Sequence, residues 1–331
     1  MEFSNGYTAT FYAAVVDPGT WQDIDRLEIV SGSISRNEND IRQSADLTLR
    51  DYDGKLDRWI RIYMDAQQGE TIVHVPLFTG LATSPEQSFA AGVTATRLQC
   101  YSVLKAAADI FLQRGFYISR NTTGTNAIKR LLASVPRVYI DGTSEPLTEE
   151  IIAEGNESGL TMTDKILKAI GWQLNISGDG TVNIRQKPTE PAAILSPQND
   201  VVGTSFTKGR DWFSCPNVFR ATSGDLTAVA RDDDPNSDLS TASRGREVWA
   251  EEDSVTLKDG ESIAQYARRR LKELQERTET VNYTRRFLPE INVGDIVRLN
   301  YDDLKGDYRV TSQNIILGAA ASTQEDAKRS I

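Results

Sequence analysis

The feature that most restricts the fold of this chain is a two-residue alternation of apolar and polar side chains near its start. The stretch SADLTLRDYDG (44–54) places its apolar residues on one side of an extended strand, namely Ala45, Leu47 and Leu49. Segments 71–85 and 92–104 are similar, with turn residues between the runs. Because successive side chains of a strand point to opposite faces, residues 1–105 are predicted to form an antiparallel sheet or barrel.

The middle of the chain, residues 106–200, changes to helix-like spacing. Helices are predicted at 125–135 and 161–172. In the second helix, Thr163 is a candidate N-cap and Gly171 a candidate end. The following sequence, WQLNISGDGTVNIRQKP, contains two strand-like runs around a Gly-Asp-Gly turn and predicts a hairpin. Pro and Asn punctuate residues 188–200, which are interpreted as a linker.

Strand patterns return in residues 201–331. The stretches 216–224 and 226–234 are strand-like and are joined by a turn at Ser223, Gly224 and Asp225. A long helix is predicted at 261–277, capped by Asp259. One apolar stripe along this helix is expected to pack onto a sheet, and it consists of Ile263, Ala267, Leu271 and Leu274.

The chain ends in a predicted hairpin, residues 291–315. An apolar strand at 296–301 leads into a polar turn at 302–306, and a return strand follows. Together these patterns predict an α+β, mainly β, chain. Its predicted domains are an N-terminal β domain at 1–105, a small α/β domain at 106–200 and a second β domain at 201–331 that carries the helix and the hairpin.

Charge and composition exclude some functions. The chain has 47 acidic and 37 Lys or Arg residues and a net charge of −10. Proteins that grip DNA neutralise its phosphates with Lys and Arg, so specific nucleic-acid binding is not expected. No apolar run approaches the roughly 20 residues of a membrane span, so membrane insertion is not expected either. The two cysteines favour synthesis in a reducing cytoplasm.

The chain has few residues for catalysis. His74 is the only histidine, and on its alternating strand it is interpreted as a partly exposed structural residue. The acidic stretch 231–240 lacks the glycine of a calcium loop, and EEDS (251–254) is interpreted as a charged turn. Trp212 and Phe213 are interpreted as a core or interface anchor. We therefore assign no catalytic, cofactor-binding or metal-binding residue.

The order of several motifs resembles the order found in the baseplate hub proteins of phage tails. Members of this family occur in contractile phages, defective prophages and phage-derived bacteriocins. The similar elements include Pro216-Asn217 at the start of a strand, the acidic Pro-bearing loop, the helix ESIAQYARRRLKEL (261–274), NVGDIVRL (292–299) and VPLFTGLATSP (75–85). The resemblance is least clear in 106–200. It covers most of the chain.

The resemblance implies two domains like the tail-tube protein, each a β-barrel or sheet flanked by a helix, with a smaller α/β domain between them. It also implies a homotrimer whose pseudo-sixfold ring joins a hexameric tail tube to a threefold central spike around a channel. The implied partners are the tube, the spike, other baseplate proteins and a tape-measure protein. The implied location is the tail of a virion or bacteriocin particle made in the bacterial cytoplasm.

Two alternatives remain open at this point. One is a cell-wall-degrading tail enzyme, since a glycosidase needs only two carboxylates. The other is a carbohydrate- or receptor-binding module at a tail tip. Neither alternative has a sequence pattern comparable to the ordered motifs of the hub family.

Overall fold

A computed structural model describes residues 1–52, 58–83, 85–90, 93–147, 149–197, 202–253, 255, 261–276, 279–302, 304–318 and 321–330. The predicted α+β, mainly β, class is confirmed. The largest unit is a sheet of 13 strands to which both ends of the chain contribute. Two smaller units extend from it, and each has its own apolar core.

The first half of the large sheet is built from residues of the N-terminal region. Its strands are β1 (Thr8–Val16), β2 (Asp23–Asn37), β3 (Gln43–Arg50), β4 (Trp59–Gln68), β5 (Thr71–Ala82), β6 (Glu86–Ala90) and β7 (Val93–Ser102). Six of them pair in the closed circuit β1-β4-β5-β7-β3-β2-β1, and β6 adds to β7. All pairs in the circuit are antiparallel.

The alternation that predicted these strands is confirmed in β3. Ala45, Leu47 and Leu49 are all at most 1% exposed, whereas Asp46 and Arg50 face solvent. The buried side chains join Ile60, Ile62 and Phe78 of β4 and β5 in one core inside the circuit. The apolar face thus explains why these strands curve around a common interior.

The second half of the sheet uses residues that follow position 190. Its strands are β13 (Pro191–Leu195), β14 (Val202–Arg210), β18 (Glu279–Arg286), β19 (Ile296–Tyr301), β20 (Leu304–Ile316) and β21 (Ser322–Arg329). The predicted terminal hairpin is confirmed as β19 and β20. Its turn is tighter than predicted because β20 already begins at Leu304.

The interpretation of 188–200 as a linker is wrong for its central residues. Pro191–Leu195 forms β13, which pairs in parallel with β19 about 100 residues later in the chain. A proline can occupy this position because it opens an edge strand, where its missing N–H is tolerated. The last part of that stretch, 198–200, lies outside the described residues.

One strand joins the two halves. The first part of β20 pairs with β19, and its second part pairs with β2 through five residue pairs from Asn37↔Ser312 to Ser33↔Ile316. On its other side, β20 pairs with β21 along most of its length. The N-terminal and C-terminal strand sets therefore form one hydrogen-bonded sheet.

The middle of the chain forms a unit that we call the insert, with a core from Val103 to Ile184. Its elements are α1 (Lys105–Ala108), β8 (Tyr117–Ile118), α2 (Gly124–Leu131), β9 (Val138–Ile140), β10 (Ile151–Ile152), α3 (Gly159–Ile170), β11 (Trp172–Ile176) and β12 (Val182–Gln186). The predicted hairpin is confirmed as β11 and β12, and β9 adds in parallel to β12.

The predicted N-cap of the second helix is wrong, but its predicted end is right. Ser158 caps α3, because its hydroxyl accepts a hydrogen bond from the Thr161 N–H at 3.1 Å. Thr163 lies one turn further on and donates to the carbonyl of Gly159. Gly171 ends the helix with φ of 70°, a left-handed conformation that glycine adopts without steric penalty.

The second small unit lies between β14 and β18. It contains β15 (Val218–Ser223), β16 (Leu226–Arg231), α4 (Thr241–Arg244), β17 (Trp249–Glu252) and α5 (Ile263–Glu276). The turn predicted at 223–225 is confirmed. The EEDS stretch (251–254) is interpreted from the sequence as a charged turn, but its first two residues, Glu251 and Glu252, belong to β17. Its last residue, Ser254, lies outside the described residues.

The apolar stripe of α5 is confirmed, and it packs onto a sheet as predicted. Ala267 and Leu271 are buried, Ile263 and Leu274 are half-buried, and they pack on β15 and β16. The sheet that receives the helix is thus the small one, not the sheet of 13 strands. The predicted cap, Asp259, lies outside the described residues.

Candidate assembly and ligand-binding surfaces

The single histidine of the chain is exposed, whereas its two cysteines are buried. His74 is exposed, and its Nδ1 contacts Asp65 across the β4–β5 pair at 2.7 Å, as expected of a structural residue. Cys100 and Cys215 are free and buried. Burial raises the pKa of the Cys215 thiol to about 11 and that of the Cys100 thiol further, so both are protonated near neutral pH.

The acidic loop is held by its own hydrogen bonds. Asp232 accepts from the Ser237 hydroxyl at 2.7 Å and from the Gln275 amide at 3.0 Å, and Asp233 accepts from the Thr241 hydroxyl. In the part of the chain that the structure describes, no three His, Cys, Asp or Glu side chains are grouped to hold a metal ion. Within that same part, no helix is long and apolar enough to cross a bilayer.

The aromatic pair singled out in the sequence lies on the surface. Trp212 and Phe213 are 43% and 78% exposed, so the interpretation as a core anchor is wrong. The Arg246 guanidinium lies 4.3 Å from the centre of the Phe213 ring, and Arg210 stacks over Trp212. These cation–π contacts hold both rings outward, where they suit an interface.

An apolar ribbon crosses the surface of the insert. Segments 110–118 and 151–159 run antiparallel and exchange backbone hydrogen bonds at both ends. Four of its side chains are between 49% and 68% exposed, namely Ile110, Phe111, Tyr117 and Ile152. Such grouping of large apolar side chains is typical of contact surfaces between proteins.

A cluster of cations lies at the edge of the second half of the sheet. The carboxylate of Glu279 accepts from Arg210 at 2.8 Å and contacts Lys208 at 3.1 Å and Arg329 at 3.2 Å. Tyr308 donates to the same carboxylate. Burial raises the pKa of Glu279, but the hydrogen bonds from Tyr308, Arg210 and Lys208 outweigh it and lower the pKa to about 2.

The insert is fastened to the N-terminal strands through the turn of its hairpin. The Thr79 hydroxyl donates to the carbonyl of Gly178 at 2.7 Å, and the Trp21 indole donates to the carbonyl of Asp179 at 3.2 Å. A Cβ at Gly178 would lie 1.8 Å from the Pro76 carbonyl oxygen. The close approach of two backbones explains why glycine occupies this turn.

A polar groove lies on the solvent face of the insert sheet. Strands β9, β12 and β11 turn their apolar residues towards the insert core and their polar residues outward. One cross-strand row on the outer face consists of Tyr139, Asn183 and Asn175. With Asn292 as a further lining residue, the groove has a volume of about 320 Å³.

The charged side chains of this groove differ in whether they have a partner of opposite charge. Arg185 of β12 is held by Asp295, at 2.6 Å from its guanidinium, and burial raises the pKa of that carboxyl. The Arg185 Nε is buried without a hydrogen-bond partner among the described residues. Asp141 also lines the groove and is exposed, with no ion pair among the described residues.

Sequence reasoning identified the hairpin that forms most of this groove but missed the groove itself. The alternation in WQLNI and VNIRQ gives the outward face of β11 and β12. The parallel pairing of β9, which brings Tyr139 next to Asn183, has no local signal in the sequence. Asn292 arrives from a loop more than 100 residues later.

Comparisons with known proteins identify the fold. The chain is similar to a tail protein from Neisseria meningitidis MC58, with a TM-score of 0.70, 15% identity and 97% of each chain covered. It is also similar to the 43 kDa tail protein of prophage MuSo2 from Shewanella oneidensis, with a TM-score of 0.69, 14% identity and coverage of 97% of this chain and 98% of the other.

A third similar structure is a component of the E. coli type VI secretion system, described as structurally similar to the T4 bacteriophage tail proteins gp27 and gp5. The TM-score is 0.55 at 7% identity, over 92% of this chain and 74% of the other. No protein-family model matches the chain, and no curated sequence matches it. The chain thus has the fold of phage tail proteins, which confirms the resemblance seen in the sequence at the level of fold.

Proposed function

We propose that this protein is a structural hub of the baseplate of a phage tail or phage-like particle. The observation that carries the proposal is the joining of N-terminal and C-terminal strand sets in one sheet through β2 and β20. The fold similarity of 97% of this chain to a tail protein and to a prophage tail protein supports a structural role in a tail. The absence of assigned catalytic residues accords with a role in assembly.

The proposed assembly is a homotrimer around a channel. Each chain places two strand sets side by side, so three chains supply six similar surfaces to a hexameric tube and three to a threefold spike. Closed cyclic symmetry also covers open sheet edges such as β14, which among the described strands pairs with β18 alone. Regions 1–105 and 201–331 form the ring in this proposal, and region 106–200 projects from it.

The proposed partners follow from this geometry. The ring contacts the tail-tube protein above and the central spike below, while the projecting insert contacts the spike or surrounding baseplate proteins. The apolar ribbon of Ile110, Phe111, Tyr117 and Ile152 is a suitable surface for such a contact, because these side chains are between 49% and 68% exposed. The tape-measure protein is a further partner inside the channel.

The mass of the purified chain in solution, alone and mixed with its tube and spike proteins, tests the proposal. We expect a trimer in the mixture, while the isolated chain can remain monomeric at micromolar concentration if ring closure needs a template. A reconstruction of the intact particle is the decisive measurement. Six copies in one ring, or only one tube-like strand set of each chain in the ring, would overturn the proposal.

The net charge gives the proposal a second consequence. The chain has a net charge of −10, and we expect mainly acidic side chains on the channel wall. A basic wall would retain DNA through its phosphates. The same reconstruction tests this expectation. A channel lined mainly by Lys and Arg would contradict it.

A further inference from the structure

We propose that the polar groove of the insert binds a neutral saccharide. The groove is lined by the cross-strand row Tyr139, Asn183 and Asn175, and by Asp141, Arg185 and Asn292. This inference concerns a ligand-binding site, and it does not depend on the hub proposal. It rests on the kinds of side chain in the groove, their order across the sheet and their charge.

Tyr139 supplies an apolar platform. Its side chain is 58% exposed although it lies in the middle of a paired strand. The face of an aromatic ring carries partial negative charge, and the C–H groups on one face of a pyranose ring are weakly positive. A sugar ring can therefore stack on Tyr139 while its hydroxyl groups point to the sides.

The polar neighbours of Tyr139 match hydroxyl groups. The Asn183 nitrogen already donates to the Ser177 hydroxyl at 2.7 Å and to the Thr181 carbonyl at 3.0 Å, so its amide oxygen is left to accept. The Asn292 amide can both donate and accept, the Asp141 carboxylate accepts, and the Arg185 guanidinium donates. Hydroxyl groups need both kinds of partner. The Arg185 side chain is 40% exposed, so the N–H groups at its outer end are donors that a ligand oxygen can reach.

The charge in the groove selects against acidic sugars. Arg185 is already paired with Asp295, so that pair is neutral overall. Asp141 then adds one negative charge, with no ion pair among the described residues. Among the described residues that line the groove, no further cation would compensate this carboxylate against an anionic ligand, so the expected ligand is neutral.

The size and composition of the groove also favour a saccharide over a peptide. Its volume of about 320 Å³ is at the lower end of the range of ligand pockets, roughly 300–1,000 Å³. Protein contact surfaces concentrate several apolar and aromatic side chains at their centre. Here Tyr139 is the one aromatic side chain among the described lining residues, and the lining otherwise consists of three asparagines, two charged residues, a serine and two isoleucines of the strands.

The test is binding of the full-length protein to a glycan array that carries neutral and acidic bacterial surface oligosaccharides, followed by calorimetry with the strongest binder. We expect binding to neutral glycans, with the affinity reduced at least about tenfold in Tyr139→Ala and in Asp141→Ala. Tyr117→Ala is the matched control, because Tyr117 is a similarly exposed tyrosine of the insert that does not line the groove. This control variant should bind like the wild type.

Several results would overturn the inference. They are no binding by the wild type, a preference for acidic glycans, or an affinity that Tyr139→Ala and Asp141→Ala leave unchanged. Equal losses in Tyr117→Ala and Tyr139→Ala would also count against the groove. Circular dichroism spectra and melting temperatures of all variants establish that loss of binding does not come from loss of folding.

Discussion

Arg285 and Glu325 form an ion pair in which neither side chain exposes any surface to solvent. Gln313 of β20 donates to the same carboxylate at 2.7 Å, and Arg36 of β2 contacts Gln313 at 3.4 Å. These four residues come from four strands in both halves of the large sheet. A buried polar network therefore crosses the seam between the halves.

The variant Glu325→Gln tests the importance of this network. It keeps nearly the same shape but leaves Arg285 buried without its countercharge, which should lower the free energy of unfolding by about 3–5 kcal/mol. Urea denaturation measures the loss. The control is Glu28→Gln in the exposed Glu28–Arg50 pair, expected to change stability by about 0–1 kcal/mol. Equal effects of the two variants would contradict the prediction.

Glu279 gives the protein a specific dependence on acidic pH. Its pKa in the folded protein is about 2, below the 4.5 of an unperturbed glutamate. A lowered folded pKa stabilises the protein above about pH 4.5, and this contribution is lost as the pH falls towards 2. Glu279→Gln should remove this contribution to the free energy of unfolding. We expect a loss of about 2 kcal/mol, because solvent screens the half-exposed cations that surround the carboxylate.

The measurement for Glu279 is chemical denaturation of the wild type and Glu279→Gln at pH 7 and pH 3. The difference in stability between the two proteins should shrink at pH 3. A difference that stays constant between these pH values would show that Glu279 does not titrate as described. Glu251→Gln is a control, because Glu251 lies in an exposed pair with Arg220.

Leu271 anchors α5 to the small sheet. Its side chain is 5% exposed and packs in a core with Phe219 and Tyr266. Leu271→Ala should lower the free energy of unfolding by about 2–5 kcal/mol, because truncation leaves a cavity. Arg268→Ala on the exposed face of the same helix is the control. A loss below about 0.5 kcal/mol in Leu271→Ala would mean that the packing is not maintained in solution.

Gly178→Ala should separate the insert from the N-terminal strands. The added methyl group would overlap the Pro76 carbonyl, and relief of that overlap should cost about 1–3 kcal/mol. Hydrogen exchange should increase at residues 177–181. Gly155→Ala is the matched control in the same insert, because no atom lies within 4 Å of its added Cβ. Wild-type exchange in Gly178→Ala would contradict the prediction.

Local patterns in the sequence predicted several of the strands because alternation is a property of neighbouring residues. The face of β3, the β11–β12 hairpin and the stripe of α5 all have this origin. Which sheet an element joins depends on residues far away. The stripe of α5 therefore predicted a buried face correctly, while its partner sheet, β15 and β16, was not foreseen.

The same limit explains β13 and the groove. The residues 191–195 are rich in Pro and Ala, and they become a strand because β19 offers a parallel edge. The groove needs Tyr139 and Asn183 in register, although the chain between them contains the helix α3. Sequence periodicity carries no information on that register. The turn between β11 and β12 is different, because Gly178 indicated it locally in the sequence.

The dual pairing of β20 has a mechanical consequence. A force that displaces one half of the sheet along the strand direction acts on all five β2–β20 residue pairs at once, since the strands must slide past each other. Shear of this kind ruptures hydrogen bonds collectively, whereas peeling ruptures them in sequence. The two halves should consequently move as one stiff body when a pulling or pushing force in a tail acts parallel to β20.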